Sequence, residues 1–312
     1  MSEQDKVNGI IVLDKPTGYS SNQAMSNLKK LLNQRKMGFL GTLDPLATGV
    51  LPVFLGKSTK LIHLFEGLDK SYRVTMKLGV TTDTLDSEGQ VQQVRELGDL
   101  SSAQVVRETL SMAGNHVQRT PDFSAIKING VPAYKLARRG EAVPDRPRNV
   151  KLYDLVVEDV SLPEVTFRVS CTAGTYMRVL VADIGERLGV GAHITALRRL
   201  HSGCLFTDEI SFTLDQIRYA VDEGSLKFLR NPAEFLTAYA SVLATETMVV
   251  QLKHGQPVTL ALEMLHPAEN LAGFDGSDVP VKILGPDGEL LAIGAGRQED
   301  QLVVFQPKKV LI

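Results

Sequence analysis

Apolar residues recur along this chain with two different periods. Gly9 to Leu13 is a short apolar run that predicts a strand, closed by a turn at Asp14-Lys15-Pro16-Thr17-Gly18. Ser20 or Ser21 can then cap a helix, with Met25, Leu28, Leu31 and Leu32 on its buried face. Val50 to Leu55 reads as a strand, and Ser58 can cap a helix through Phe65. Ser71 to Leu78 alternates, placing Tyr72, Val74, Met76 and Leu78 on one inward side. Thr81 to Gly89 is polar and turn-rich. Ser101 or Ser102 opens a helix with Val105, Val106, Leu110 and Met112 inward, and Asn129-Gly130 predicts a tight hairpin turn. Leu152 to Val160 and Val165 to Cys171 read as strands. Thr175 can cap a helix to Leu188 with Met177, Leu180, Val181 and Ile184 as its core stripe, and Thr213 can cap another. The pattern shifts near Ala240 to Thr245. From there it is Gly-punctuated, with short apolar runs at Val279 to Leu284, Leu290 to Ile293 and Leu302 to Phe305 that predict a small β-rich unit. Mixed helical and strand periods make this an α/β (α+β) chain.

Composition narrows the class. The 312 residues are 43% hydrophobic and 22% charged, enough for one large domain and a smaller one. The N-terminus is polar, so no secretory signal is expected, and no apolar run approaches the roughly 18 residues of a membrane span. Two cysteines, Cys171 and Cys204, give no disulfide framework and suit a reducing cytoplasm. His193, His201 and Cys204 match no standard metal spacing, so no metal is expected. The net charge of −2 argues against nucleic acid only until its distribution is read. Lys29 to Lys36 carries four positive charges and no negative one, and Tyr134 to Lys151 holds six basic and two acidic residues. Such runs are either solvated faces or local grips for RNA phosphates.

The segment with the clearest chemistry is Phe39 to Gly56, FLGTLDPLATGVLPVFLG. Asp44 is its only charged residue, set between Gly41, Pro45, Gly49 and Pro52. Pro45 biases Asp44 towards extended dihedrals, and the glycines permit close backbone approach. Taken locally, the segment reads equally as an Asx-turn in which Asp44 bonds its own backbone.

Six stretches in order resemble the TruB family of pseudouridine synthases: GIIVLDKPTGYSS (Gly9 to Ser21), GTLDPLATG, KSYRV (Lys70 to Val74), TTDTLDSEG (Thr81 to Gly89), GTYMRVLVADIGERLG (Gly174 to Gly189) and GAHITALRRL (Gly191 to Leu200). The resemblance implies isomerisation of uridine 55 in the TΨC arm of tRNA, by base flipping and without cofactor, membrane or obligate protein partner. It implies a mostly antiparallel mixed sheet flanked by helices. It also implies a catalytic domain over 1–244, a thumb-like RNA-binding insertion at about 120–152, and a PUA-like RNA-binding domain over 245–312. It makes Asp44 the nucleophile; an ordinary aspartate is ionised at neutral pH and needs no separate base. Arg178 is its expected cation, although a residue directly after the core-facing Met177 could equally be a solvated helix arginine. Tyr72 is expected to stack on the target base and is a candidate to take its C5 proton, or else is simply a core tyrosine. A phenol is a poor base at neutral pH without help. Tyr176 and Leu197 are expected to line the uracil pocket. Lys15 and Lys60 match basic motif positions or are surface charges, and Asp86 is an acid near the site or a turn residue. Phe39 stands where bacterial members usually carry a histidine; it can stack but cannot titrate.

Three other readings remain from sequence. The first is a related synthase that works with a guide RNA; those relatives lack the insertion at Thr120 to Leu152. The second is an RNA-binding or RNA-folding protein with little catalysis. The third is a carboxylate hydrolase, disfavoured because Asp44 has no second acid in its own motif.

Overall fold

A computed structural model describes residues 7–121, 123–124, 126–128, 130–144, 146–266 and 278–312. In chain order the elements are β1 (Gly9–Lys15), α1 (Ser21–Leu31), β2 (Met37–Phe39), β3 (Thr48–Leu55), a 3-10 run (Gly56–Phe65), β4 (Lys70–Leu78), β5 (Val80–Thr82), β6 (Val91–Val94), α2 (Ser102–Leu110) and β7 (Gly114–Gln118). Next come β8 (Lys127–Ile128), β9 (Val131–Pro132), α3 (Ala133–Ala137), β10 (Arg148–Ser161), β11 (Glu164–Cys171), α4 (Met177–Arg187), β12 (Ala192–Ser202), β13 (Phe206–Thr207) and α5 (Leu214–Asp222). The last stretch holds β14 (Ala240–Leu243), α6 (Glu246–Lys253), β15 (Val258–Ala261), β16 (Val279–Leu284), β17 (Leu290–Glu299) and β18 (Leu302–Val310).

The main sheet runs β1-β3-β12-β4-β11-β10-β7, with β2 beside β3 and β13 beside β12. It is mixed and mostly antiparallel, as expected; the β12–β3 pair is parallel. The inward face of β4 is the one its alternation predicts, with Tyr72, Val74, Met76 and Leu78 all buried. Helix α1 starts at a capping box in which Ser20 accepts from Gln23 N, and it buries Ala24 and Leu28. Helix α4 buries its whole predicted stripe, Met177, Leu180, Val181 and Ile184.

Three local expectations fail. Ser58 is no cap, because the 3-10 run already begins at Gly56 and encloses it. Thr175 sits one residue too early: Tyr176 takes the cap position of α4, and the Thr175 hydroxyl donates instead to Thr172 O at 2.8 Å. Leu110 is 43% exposed, because α2 turns Val105 and Thr109, four residues apart, onto its buried face. Thr213 does cap α5. Of the predicted hairpin turn, Asn129 lies outside the described residues; β8 and β9 pair antiparallel on either side of it and Gly130, whose φ is +84°.

A second, five-stranded sheet has the order β14-β16-β17-β18-β15. It takes in Ala240–Leu243, which pair with Val281–Leu284 ahead of the expected boundary at 244/245. One apolar cluster joins the two sheets: Phe54, Phe65, Phe206 and Phe235 pack with Leu290, Ile293 and Leu311.

Candidate active site

The Asp44 loop links β2 to β3 over the end of the main sheet. Its backbone is pinned from several sides. Leu43 N donates to Ser21 Oγ at 2.8 Å, and Gly18 N donates to Pro45 O at 2.9 Å. Ala47 N donates to Asp44 O at 3.0 Å, closing a turn through the backbone of Asp44 and not its carboxylate. Gly49 has φ +96°, and a Cβ there would lie 2.2 Å from Arg199 O, where β3 and β12 run side by side. No other residue type fits that crossing.

The Asp44 carboxylate goes to Arg178. Arg178 Nε donates to Asp44 Oδ2 at 3.0 Å, and its Nη2 lies 3.5 Å from Oδ1. The Asx-turn reading therefore gives way to an ion pair. Arg178 is no solvated helix residue: its side chain is 5% exposed, against 37% for Asp44. The guanidinium is held in place by donation to Thr84 O and Phe123 O, both at 2.8 Å. The buried Asp86 stands behind it, with Oδ2 at 3.8 Å from Arg178 Nε. Asp86 also holds its own turn, its Oδ1 accepting from Thr84 Oγ1 at 2.6 Å and Glu88 N at 3.1 Å. Both sequence readings of Asp86 are thus realised in one residue.

Asp44, Tyr72, Tyr176, Arg178, Leu197 and Arg199 line a cavity of about 380 Å³, within the range of small-ligand sites. Tyr72 is buried and hydrogen-bonded to Arg199, its cross-strand neighbour. Burial pushes the Tyr72 phenol above its ordinary value, and Arg199 opposes that rise. Tyr176 lines the wall from the head of α4, its backbone clamped by both amide atoms of Gln118 at 2.7 and 3.0 Å. Burial raises its phenol too.

The other expected residues are placed differently. Lys15 is fully buried behind the loop and not at the surface. Its ammonium donates to Pro16 O at 2.9 Å, Tyr19 O at 2.6 Å and Pro45 O at 3.3 Å, so it braces the residue after Asp44. Burial pushes it down to about 8, against the pull of Asp44 and Glu88. Lys60 is not at the cavity: its Nζ donates to Val310 O at 2.7 Å. Phe39 is half-buried on β2, packs on the main core and does not line the cavity.

Sequence reading missed Arg199. It is 1% exposed and donates to Val50 O at 2.7 Å and Gly41 O at 3.0 Å. Its signal was available, since a residue two beyond Leu197 on a strand shares its face. Thr84 and Phe123 contribute backbone carbonyls, which no side-chain motif announces. Among the described residues no group of His, Cys, Asp and Glu is arranged to hold a metal ion, and no helix is long and apolar enough to cross a membrane.

On a mixed sheet, a buried arginine aims one aspartate into a tyrosine-walled cavity. The chain belongs to the TruB family: residues 29–177 match the TruB family pseudouridylate synthase N-terminal domain, and residues 178–236 match the tRNA pseudouridylate synthase B C-terminal domain. The five-stranded sheet from Ala240 lies beyond both matches. A protein named tRNA pseudouridine synthase B from Syntrophotalea carbinolica is 40% identical over 91% of this chain and 90% of its own. Another of that name, from Burkholderia mallei, is 36% identical over 98% and 97%. Among solved structures, a chain of an H/ACA RNP bound to a substrate RNA containing 2′-deoxyuridine aligns with TM-score 0.67 and 27% identity, over 97% of this chain and 85% of that one.

Proposed function

We propose that this protein converts uridine 55 to pseudouridine in the TΨC arm of tRNA, acting alone in the cytoplasm. The observation that carries the reading is the Arg178–Asp44 pair, 3.0 Å apart at the wall of the cavity. The reaction breaks the N1–C1′ bond, turns the uracil, joins C5 to C1′, and moves a proton from C5 to N1. The target base must leave its stack to reach the carboxylate, at a cost of a few kcal/mol. Asp44 is the nucleophile, kept aimed by Arg178 with Asp86 behind it. Tyr72 and Tyr176 offer flat apolar walls for the flipped base, and Leu197 closes the pocket. Burial raises the Tyr72 phenol and keeps it protonated at neutral pH, so to take the C5 proton it must pass its own proton to solvent, because the Arg199 guanidinium is a donor only. The 120–152 stretch grips the arm, and the β-rich unit over 245–312 is a PUA-like RNA-binding domain. Relatives 36–40% identical over nine-tenths of the chain or more carry the tRNA name, which favours a tRNA synthase over a related synthase that works with a guide RNA.

The test is a C5-tritiated tRNA transcript. Wild type should release tritium, and a transcript with uridine 55 replaced should release none. Asp44→Asn should lower release by at least about 10³-fold, as loss of a nucleophile does, while holding tRNA within about threefold of wild type. Release by Asp44→Asn at the wild-type rate would remove Asp44 from the chemistry. No release by either protein would leave an RNA-binding protein.

A further inference from the structure

The KSYRV stretch brings Tyr72 to the cavity, and with it a second residue that the Asp44–Arg178 pair does not use. Lys70 lies two residues before Tyr72 on β4, so both side chains leave the same face of the strand. Across from them on β12, Tyr72 meets Arg199 and Lys70 meets Ser202. Lys70 is half-buried and lines the Asp44 cavity. Its far end lies by the catalytic loop: a Cβ on Gly41 would stand 3.8 Å from Lys70 Cε and 3.2 Å from Arg199 Nη1. A second cavity, of about 300 Å³, is lined by Lys70 together with Asp69, Tyr153, Asp154, His201 and Cys204. Among the described residues Lys70 alone lines both cavities.

The surroundings favour an uncharged amine. Lys70 Nζ donates to Leu68 O, and among the described residues Lys70 is in no ion pair. The adjacent acid, Asp69, accepts instead from the Tyr153 hydroxyl at 2.6 Å. Cys171, opposite Lys70 on β11, is no anion, because burial pushes its thiol up to about 11. Asp44 and Arg178, in the first cavity, pair with each other. Asp154, His201 and Cys204 face Lys70 only from the second. Burial, and then the Arg199 cation, push Lys70 below the ordinary lysine value, against Cys171 and Asp69. Around the target base, Arg178 and Arg199 cannot accept a proton, and Tyr72 already holds its own. The Cα atoms of Lys70 and Tyr72 are one pleat repeat, about 7 Å, apart. A lysine stem leaning along the strand therefore reaches a base lying on the Tyr72 ring.

We propose that Lys70 is the base that removes the C5 proton of the target nucleotide, and that the second cavity is the way this proton leaves. The proposal rests on the isomerase reading above. Once C5 is joined to C1′, the Lys70 lone pair takes the C5 proton. The C5–H electron pair forms the C5–C6 double bond, the C6–N1 π pair moves onto N1, and N1 takes a proton from solvent. The ammonium then gives its proton to water in the second cavity. The test is the single-turnover rate of pseudouridine formation on tRNA transcripts carrying hydrogen or deuterium at C5. In wild type the deuterium effect should grow from about pH 9 to about pH 6, because the uncharged amine becomes scarce and removal of the C5 proton becomes limiting. Protonation of Asp44 slows an earlier step and would shrink the effect instead. Lys70→Ala should be slower by about 10²-fold or more, should show the full deuterium effect, and should recover with added methylamine. Lys70→Arg keeps the positive charge but cannot give up its proton, so it should be as slow as Lys70→Ala. Wild-type turnover by Lys70→Arg would overturn the proposal, and so would a slow Lys70→Ala with neither deuterium effect nor rescue. Pseudouridine formed by wild type with a pH-independent deuterium effect would overturn it without any variant, and leave the isomerase reading standing. No pseudouridine from wild type would overturn that reading and this proposal together.

Discussion

At the scale of single residues, the site depends on how few groups satisfy how many. Arg178 serves Asp44, Thr84 O, Phe123 O and Asp86 with one planar fork. Lysine keeps the charge but cannot reach several acceptors at once. Arg178→Lys should therefore lower kcat by about 10²-fold or more with little change in KM, because Asp44 loses its aim. Arg178→Met should also cost about 3–5 kcal/mol in chemical denaturation, since it strands buried Asp86 without a cation. Lys15 makes a separate prediction in pH. Its folded pKa of about 8 lies below the 10.5 of a free lysine, so the unfolded chain binds more protons between those values. Stability therefore rises with pH across that window. The whole shift is on the order of 3 kcal/mol. Urea unfolding of wild type and Lys15→Met, followed from neutral pH to pH 10, should show the wild type gaining relative to the variant. A pH-independent difference would mean that Lys15 does not titrate there.

At the scale of elements, the catalytic loop is held where β3 and β12 touch. Gly49→Ala puts a methyl 2.2 Å from Arg199 O at φ +96°. The expected cost is more than about 2 kcal/mol, together with lost product formation, because Leu197 and Arg199 on the same strand would move. Gly67→Ala is the control: its φ is +88°, but nothing lies within 4 Å, so it should cost only about 1–2 kcal/mol. Thermal melts of the two variants check the difference. The elements themselves were largely legible. The alternation of Tyr72 to Leu78 and the stripe of α4 are set by burial on one face, which a sequence displays directly. Arg178 was ambiguous because its position beside Met177 fits exposure; the carbonyls of Thr84 and Phe123 give it a buried seat, and these come from distant segments. Ser58 and Thr175 misled because capping depends on where the first turn starts, and neighbouring hydroxyls look alike in sequence.

At the scale of the whole molecule, the two sheets share one apolar cluster. Phe206 and Phe235 stack at 4.8 Å, and Lys282 of the second sheet donates to Ala233 O and Leu236 O at 3.0 Å. Phe235→Ala should cost about 3–5 kcal/mol. In calorimetry wild type should melt in one transition, and this variant should separate the melting of the second sheet from that of the first. A variant that still melts as one unit would show that the sheets are coupled by other contacts.

The sequence by itself determined the alternating and helical faces, the α/β class, and the glycines and prolines around Asp44, while the family resemblance of its motifs implied Asp44, Tyr72, Tyr176, Arg178 and Leu197 as one group. Those are properties of periodicity and of motif, both local. The tertiary structure decided that Lys15 is a buried brace, that Lys60 and Phe39 stand away from the cavity, and that Arg199 stands within it. Those outcomes depend on which backbone carbonyls and charges meet across the fold, and an unpaired chain does not state its long-range contacts.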